Sequence, residues 1–67
     1  MTFGQVLKLL REEKRLKQKE FAEKLGVSDS TYRGWEAEGK EPRYVVLCKI
    51  AKVLNVTVGQ LLGVEEL

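Results

Sequence analysis

Apolar residues recur at helical spacing in five separate stretches of this 67-residue chain, each bounded by residues that start or stop helices. Phe3, Val6, Leu7 and Leu10 follow a Thr2-x-x-Gln5 capping box, which predicts helix one over about 2–14. Phe21, Ala22 and Leu25 predict helix two over about 18–25, ended by Gly26, the residue best suited to positive φ after a helix. Val27 stands where an apolar residue packs back onto the finished helix. Ser28 is a good N-cap for helix three, about 29–37, which carries Tyr32 and Trp35 inward. Glu38 to Pro42 breaks the pattern with Gly39 and Pro42 and reads as a loop. Helix four is marked by Leu47, Ile50, Ala51 and Leu54 and stops near Asn55, which tolerates the left-handed cap. A second capping box, Thr57-x-x-Gln60, opens a short fifth helix presenting Val58, Leu61 and Leu62. No strand pattern, repeat or low-complexity segment interrupts this, so the predicted class is all-α, a compact arrangement of five helices in one domain, 1–67.

The join between helices two and three carries the most information. A helix stop and a helix start are compressed between Leu25 and Ser28, which fixes an angle between two short helices. Two helices joined by a short Gly-containing turn make a helix-turn-helix unit, about 18–37 here, whose second helix is shaped to enter a DNA major groove. The pattern therefore points to sequence-specific binding of duplex DNA.

Charge and composition narrow the picture without deciding it. The net charge of +2 is a poor argument for a polyanion partner, but Lys14, Arg15, Lys17 and Lys19 crowd the join of the first two helices, and Lys40 and Arg43 flank Pro42. A solvated basic loop is the alternative reading of these cations. A chain this short buries only about 60% of the surface its unfolded form exposes and has no room for a deep cleft. It contains no His, one Cys and no metal-ligand spacing, so no catalysis, no metal and no cofactor are expected. Cys48 lies among apolar residues and is expected to be a small core side chain in a protein of the reducing cytoplasm. No signal peptide and no stretch approaching about 18 apolar residues is present, so no membrane role is expected. Met1 and the ordered capping signals favour a complete small protein.

With these residues placed, the chain resembles the Cro and lambda-repressor-like family of helix-turn-helix domains, also called the XRE type. The likeness runs from Val6 to Leu62 and is carried by LKLLREEKRLKQKEFAEKLGVSDSTYRGWE, then Pro42, then KIAKVLNVTVGQLL, in the family's order. The resemblance implies that Gln18, at the start of helix two, holds a DNA phosphate. It implies that Arg11 pairs with Glu36, and that the first residues of helix three face the bases. Helical electrostatics supports part of this, because a helix N-terminus gathers unpaired N–H groups and partial positive charge and can seat a phosphate. A solvent-exposed amide is the alternative for Gln18, and two unrelated surface charges the alternative for Arg11 and Glu36.

On helix three, Asp29, Ser30, Arg33 and Gly34 fall on the outer face, with Ser28 and Thr31 beside them. Arg33 suits guanine O6 and N7, Ser30 can donate or accept, and Asp29 can accept from cytosine N4. Thr31 offers a methyl to thymine or a hydroxyl to phosphate. Three features depart from the family's pattern. Asp29 brings negative charge toward phosphates, although it also suits the helix N-terminus; Gly34 costs helix stability and leaves no side chain to read a base; Lys17 stands where an N-cap Ser or Thr is usual. A phosphate contact would offset the lost cap at Lys17, with Lys19, Lys40 and Arg43 as further backbone contacts. Tyr32 and Trp35, at i and i+3 on the inward face, read as core and not as stacking platforms.

Such domains act on DNA as two-fold dimers, so a homodimer is expected at least on a double-stranded operator. Leu61, Leu62, Val64 and Leu67 form an apolar tail where this family often pairs. Leu61 and Leu62 suit core and interface equally, whereas little chain remains to bury Val64 and Leu67. Val45, Val46 and Val53 add apolar area to helix four. The expected function is that of a cytoplasmic transcriptional regulator, with repression as the family's usual sign. The rival is a protein-interaction module on the same fold, an antitoxin or anti-repressor partner, favoured by the modest net charge and by Asp29.

Overall fold

The computed structural model describes residues 1–67, and five helices account for its regular structure. They are α1 Phe3–Glu13, α2 Gln18–Leu25, α3 Asp29–Ala37, α4 Tyr44–Leu54 and α5 Val58–Leu61. No strand is present. The helix starts follow the caps: Thr2 and Thr57 each accept from the backbone N–H three residues on, while Gln5 and Gln60 reach back to the threonine N–H, completing both capping boxes. Ser28 Oγ likewise accepts from Thr31 N–H at 3.1 Å.

Four of the five helix ends share one device. Arg15, Gly26, Asn55 and Gly63 all have positive φ, and in each case the following N–H reaches back to close the turn: Leu16 to Arg11, Val27 to Ala22, Val56 to Ala51 and Val64 to Gly59. This six-to-one closure satisfies carbonyls that a short helix would otherwise leave open and turns the chain sharply into the next element. Gly26 and Asn55 are legible as such caps from their residue types. Arg15 is not: a long side chain at φ 58 is held there because Leu16 must turn inward to pack against the core.

Fourteen apolar side chains from all five helices form a single core, in which Tyr32, Phe21, Leu7, Ile50 and Leu61 are sealed completely. Tyr32 stands edge-on between Phe21 of α2, 5.4 Å away, and Trp35 one turn along α3, 5.7 Å away, so the two helices are joined through aromatic faces. α1 packs principally on α3, α2 on α3, and α4 on α5. Gly4 sets the first of these contacts. A Cβ at Gly4 would lie 2.3 Å from the Glu36 carbonyl oxygen and 2.8 Å from that of Trp35, so α1 approaches the end of α3 backbone to backbone.

Two sequence expectations need correction. Leu61 belongs to the core and is fully buried, so it offers nothing to a partner; α5 is too short to carry both an inward and an outward leucine face, and Leu61 is the inward one. Leu62 is half-buried against the core, leaving Val64 and Leu67 as the exposed apolar residues of the tail. Cys48 is half-buried at the edge of α4 and lies outside the core. No helix is long and apolar enough to cross a membrane, and no cluster of three or more His, Cys, Asp or Glu is placed to hold a metal ion.

Because the Gly4 contact is with backbone that cannot swing away, Gly4→Ala is expected to destabilise the fold by about 2 kcal/mol or more, despite the higher helix propensity of Ala. A thermal melt followed by circular dichroism should fall by roughly 10 °C, at about 4–8 °C per kcal/mol for a domain of this size. An unchanged melt would mean that α1 and α3 do not touch here.

Candidate nucleic-acid interface

The loop after α1 and the N-terminus of α2 are tied to α3 by one polar cluster. Arg11 Nε donates to Glu36 Oε2 at 2.7 Å and Arg11 Nη2 donates to Glu36 Oε1 at 3.2 Å, a two-point contact that matches the planar guanidinium to the carboxylate. Arg11 Nη1 donates to the Leu16 carbonyl at 2.7 Å, and Gln18 Nε2 donates to Glu36 Oε1 at 3.1 Å. With side-chain exposures of 9% and 4%, the pair is effectively out of water, where a charge is tolerated only if its partner and hydrogen bonds are in place.

The protonation behaviour follows from that arrangement. Burial alone would raise the Glu36 carboxyl, but hydrogen bonds from Arg11 and Gln18, with the Tyr32 phenol alongside, outweigh it and hold the group below its ordinary value. The hydrogen bond from Arg11 to Glu36 raises the guanidinium in turn, so both partners stay charged. Burial, reinforced by the Glu36 carboxylate, pushes the Tyr32 phenol well above its ordinary value, and its hydroxyl completes no hydrogen bond with good geometry.

Around this anchor lie the outward-facing residues. Gln18 is half-buried and turned toward Glu36, which occupies one N–H of its amide and leaves the second. Lys17 is exposed at the start of α2; it has no acceptor to cap the helix, and Glu20 instead receives the Lys17 N–H at 2.8 Å. Lys19 is exposed on the same turn. On α3, Ser30 and Thr31 are exposed, Ser28 Oγ donates to Thr31 Oγ1 at 2.8 Å, and Arg33 Nη2 donates to Asp29 Oδ2 at 2.8 Å. Gly34 lies beside the stem of Lys40, whose ammonium pairs at the surface with Glu38. Arg43 is exposed as the N-terminal flank of α4. The loop after α1, the start of α2 and the outer face of α3 thus carry five exposed cations, Lys14, Arg15, Lys17, Lys19 and Arg33, and the loop after α3 adds Lys40.

Three contributors escape a reading of the sequence. Gly4 is buried and allows α1 to approach α3; its signal is a glycine inside the first helical turn. The Leu16 carbonyl receives Arg11, a backbone contact with no residue-type signal. Lys49 of α4 donates to the Leu25 carbonyl at 3.1 Å and so caps α2 from another helix, complementing the negative end of its dipole.

The helix-turn-helix family model matches residues 7–61, and the chain belongs to that family. It is 37% identical over 64 residues to the uncharacterized HTH-type transcriptional regulator YobD of Bacillus subtilis (strain 168), covering 96% of this chain and 57% of that protein. It is also 37% identical to the uncharacterized HTH-type transcriptional regulator YqaE of the same organism, covering 96% of this chain and 55% of that protein. Identity to its HTH-type transcriptional regulator ImmR is 33% over 66 residues, covering 98% and 52% respectively. The chain therefore spans about half the length of these relatives. No solved structure gives a significant match.

Removing one partner of the desolvated pair leaves the other charge alone, so Glu36→Ala is expected to cost on the order of 3 kcal/mol and lower the melting temperature by more than about 10 °C. The pH dependence has a definite sign. A carboxyl held below its ordinary 4.5 stabilises the fold above that value and loses its contribution as pH falls through the folded-state value. The melting-temperature gap between wild type and Glu36→Gln should therefore be full near pH 7 and shrink as the pH falls below the ordinary carboxyl value of 4.5. A gap independent of pH would show that Glu36 is not ionised in the folded protein.

Proposed function

We propose that this chain is a sequence-specific duplex-DNA-binding regulator of transcription, with α3 lying in the major groove and no catalytic activity. The observation that carries the reading is the Arg11–Glu36–Gln18 cluster, which locks the start of α2 to α3 while leaving the polar outer face of α3 open. Its family membership and the names of its relatives support the same reading.

In this arrangement Ser30, Arg33 and the open position at Gly34 approach the base edges, with Ser28, Asp29 and Thr31 at the leading turn. The α2 N-terminus seats a phosphate, using its backbone N–H groups, the second N–H of Gln18 and Lys17. Fixing one N–H of Gln18 on Glu36 orients the other before DNA arrives. Lys19, Lys40 and Arg43 contact phosphates further along the backbone, Lys40 exchanging Glu38 for the DNA. Repression follows from such docking wherever the site overlaps a promoter, and the cytoplasm is where such a site is met.

Size favours a dimer on DNA. The protein measures 27 × 21 × 20 Å, shorter than the approximately 34 Å between successive major-groove half-sites, so one copy reads one half-site. Val64 and Leu67, with exposures of 79% and 61%, are the exposed apolar residues of the tail that a second copy would cover, and Tyr44 and Val45 at the start of α4 are exposed as well. The one observation favouring a protein partner instead is the Asp29–Arg33 pair, which cancels charge on the face that would meet DNA.

Salt dependence separates the two readings. Titration against random-sequence duplex DNA by fluorescence anisotropy should give a plot of log affinity against log salt with a slope of about −3 per protomer or steeper, reduced by about 1 in Lys17→Ala. Gln18→Ala should weaken binding several-fold at a temperature well below its melt. Binding absent even at low salt would transfer the reading to a protein partner. For assembly, Val64→Asp combined with Leu67→Asp is expected to abolish the two-protomer complex in sedimentation on a two-half-site duplex while leaving the melt unchanged. An intact complex would place the dimer contact elsewhere.

A further inference from the structure

Resting on the DNA-binding reading, we infer that Asp29 is a positioning residue for Arg33, setting its guanidinium to read one guanine in each half-site. The two residues sit one turn apart on the outer face of α3, with Arg33 Nη2 donating to Asp29 Oδ2 at 2.8 Å. The Arg33 side chain is 61% exposed and that of Asp29 36% exposed.

The two oxygens of Asp29 are in different situations. Oδ2 is engaged by Arg33, while Oδ1 is shielded from solvent and has no donor. Oδ1 is closed to an approaching cytosine N4 and Oδ2 already accepts from Arg33, so Asp29 acts at the interface through Arg33. Arg33 is in the opposite position. A guanidinium has five N–H donors in a fixed plane and Asp29 takes one, which leaves enough for the two-point contact with guanine O6 and N7. Gly34 beside it adds no side chain of its own, and the flexible stem of Lys40 lies over that position, 3.9 Å from where a Cβ would stand.

An exposed pair at i and i+4 is weak in water. It strengthens when docking removes water from around it, because the same charges then interact through a lower effective dielectric. The carboxylate therefore restricts Arg33 most strongly where its orientation is read, and less rotamer freedom is lost on contact. The pair also removes the electrostatic objection to a carboxylate near phosphates, since Asp29 arrives already neutralised.

The test begins with selection of preferred sites from random-sequence duplexes by the 67-residue chain. Anisotropy then compares wild type, Asp29→Asn, Arg33→Ala and the double variant on the selected site and on the site with each guanine replaced. Wild type should discriminate at one guanine per half-site by about tenfold or more. Arg33→Ala should erase preference at that position alone. Asp29→Asn should cut it to about threefold or less while binding random DNA at least as tightly as wild type, and should change nothing further in the Arg33→Ala background. If Asp29→Asn proves unfolded in a thermal melt, Asp29→Ser keeps a small polar residue at the start of α3 and takes its place. Tighter binding to every sequence with the guanine preference intact would overturn the inference, as would loss of preference at a position that Arg33→Ala leaves untouched. Failure of wild type to enrich any sequence would overturn the DNA-binding reading itself, and this inference with it.

Discussion

The desolvated contact between Arg11 and Glu36 is the constraint on which the rest of the arrangement depends. One guanidinium reaches the carboxylate of α3 at two points and the Leu16 carbonyl at a third, while Gln18 joins from the first residue of α2. Three helices are thereby referred to a single planar group. A buried ion pair is a weak source of net stability, since desolvation cancels much of its attraction. Its contribution is geometric: these four bonds form together only when α1, α2 and α3 meet at the Glu36 carboxylate and the Leu16 carbonyl. Gly4 supplies the complementary steric condition by letting α1 close onto the carbonyls of Trp35 and Glu36.

Helices of four to eleven residues are marginal on their own, so their ends matter as much as their middles. Four of the five are closed by a left-handed residue followed by an N–H that reaches back to the preceding turn. The residue after each closure, Leu16, Val27, Val56 or Val64, is apolar, and the first three pack against the core. α1, α2 and α4 thus end and anchor the next connection in the same few residues. That economy lets a short chain position two helix starts and one outer face with little loop.

A nearly balanced chain groups its exposed charge unevenly: Lys14, Arg15, Lys17 and Lys19 crowd the start of α2, interspersed with Glu12, Glu13 and Glu20. Of the ten acidic side chains, Glu36 is engaged by Arg11, Glu20 by the Lys17 backbone, Asp29 by Arg33 and Glu38 by Lys40. The Glu36 carboxylate is buried, and the cations around the start of α2 stay exposed. Net charge counts these groups equally, although only the exposed ones act at a distance.

The helix bounds, the inward stripe and the caps at Thr2, Gly26, Ser28, Asn55 and Thr57 are determined by the sequence itself, because each depends on residues within about four positions of one another. The Asp29–Arg33 pair was not read from the sequence, where each residue on its own suggests a base contact, although their i, i+4 spacing carries its signal. Arg11 with Glu36 came into view through family resemblance, since periodicity cannot pair charges 25 positions apart. Only the tertiary structure decided that Arg15 adopts a left-handed turn, that Lys49 caps α2, that Gln18 turns toward Glu36, that Leu61 is sealed while Val64 stays exposed, and that Gly4 is a contact point. In each case the deciding neighbour lies on another element or in the packing around it, and close packing fixes which side chains and carbonyls face each other only once the whole chain is assembled.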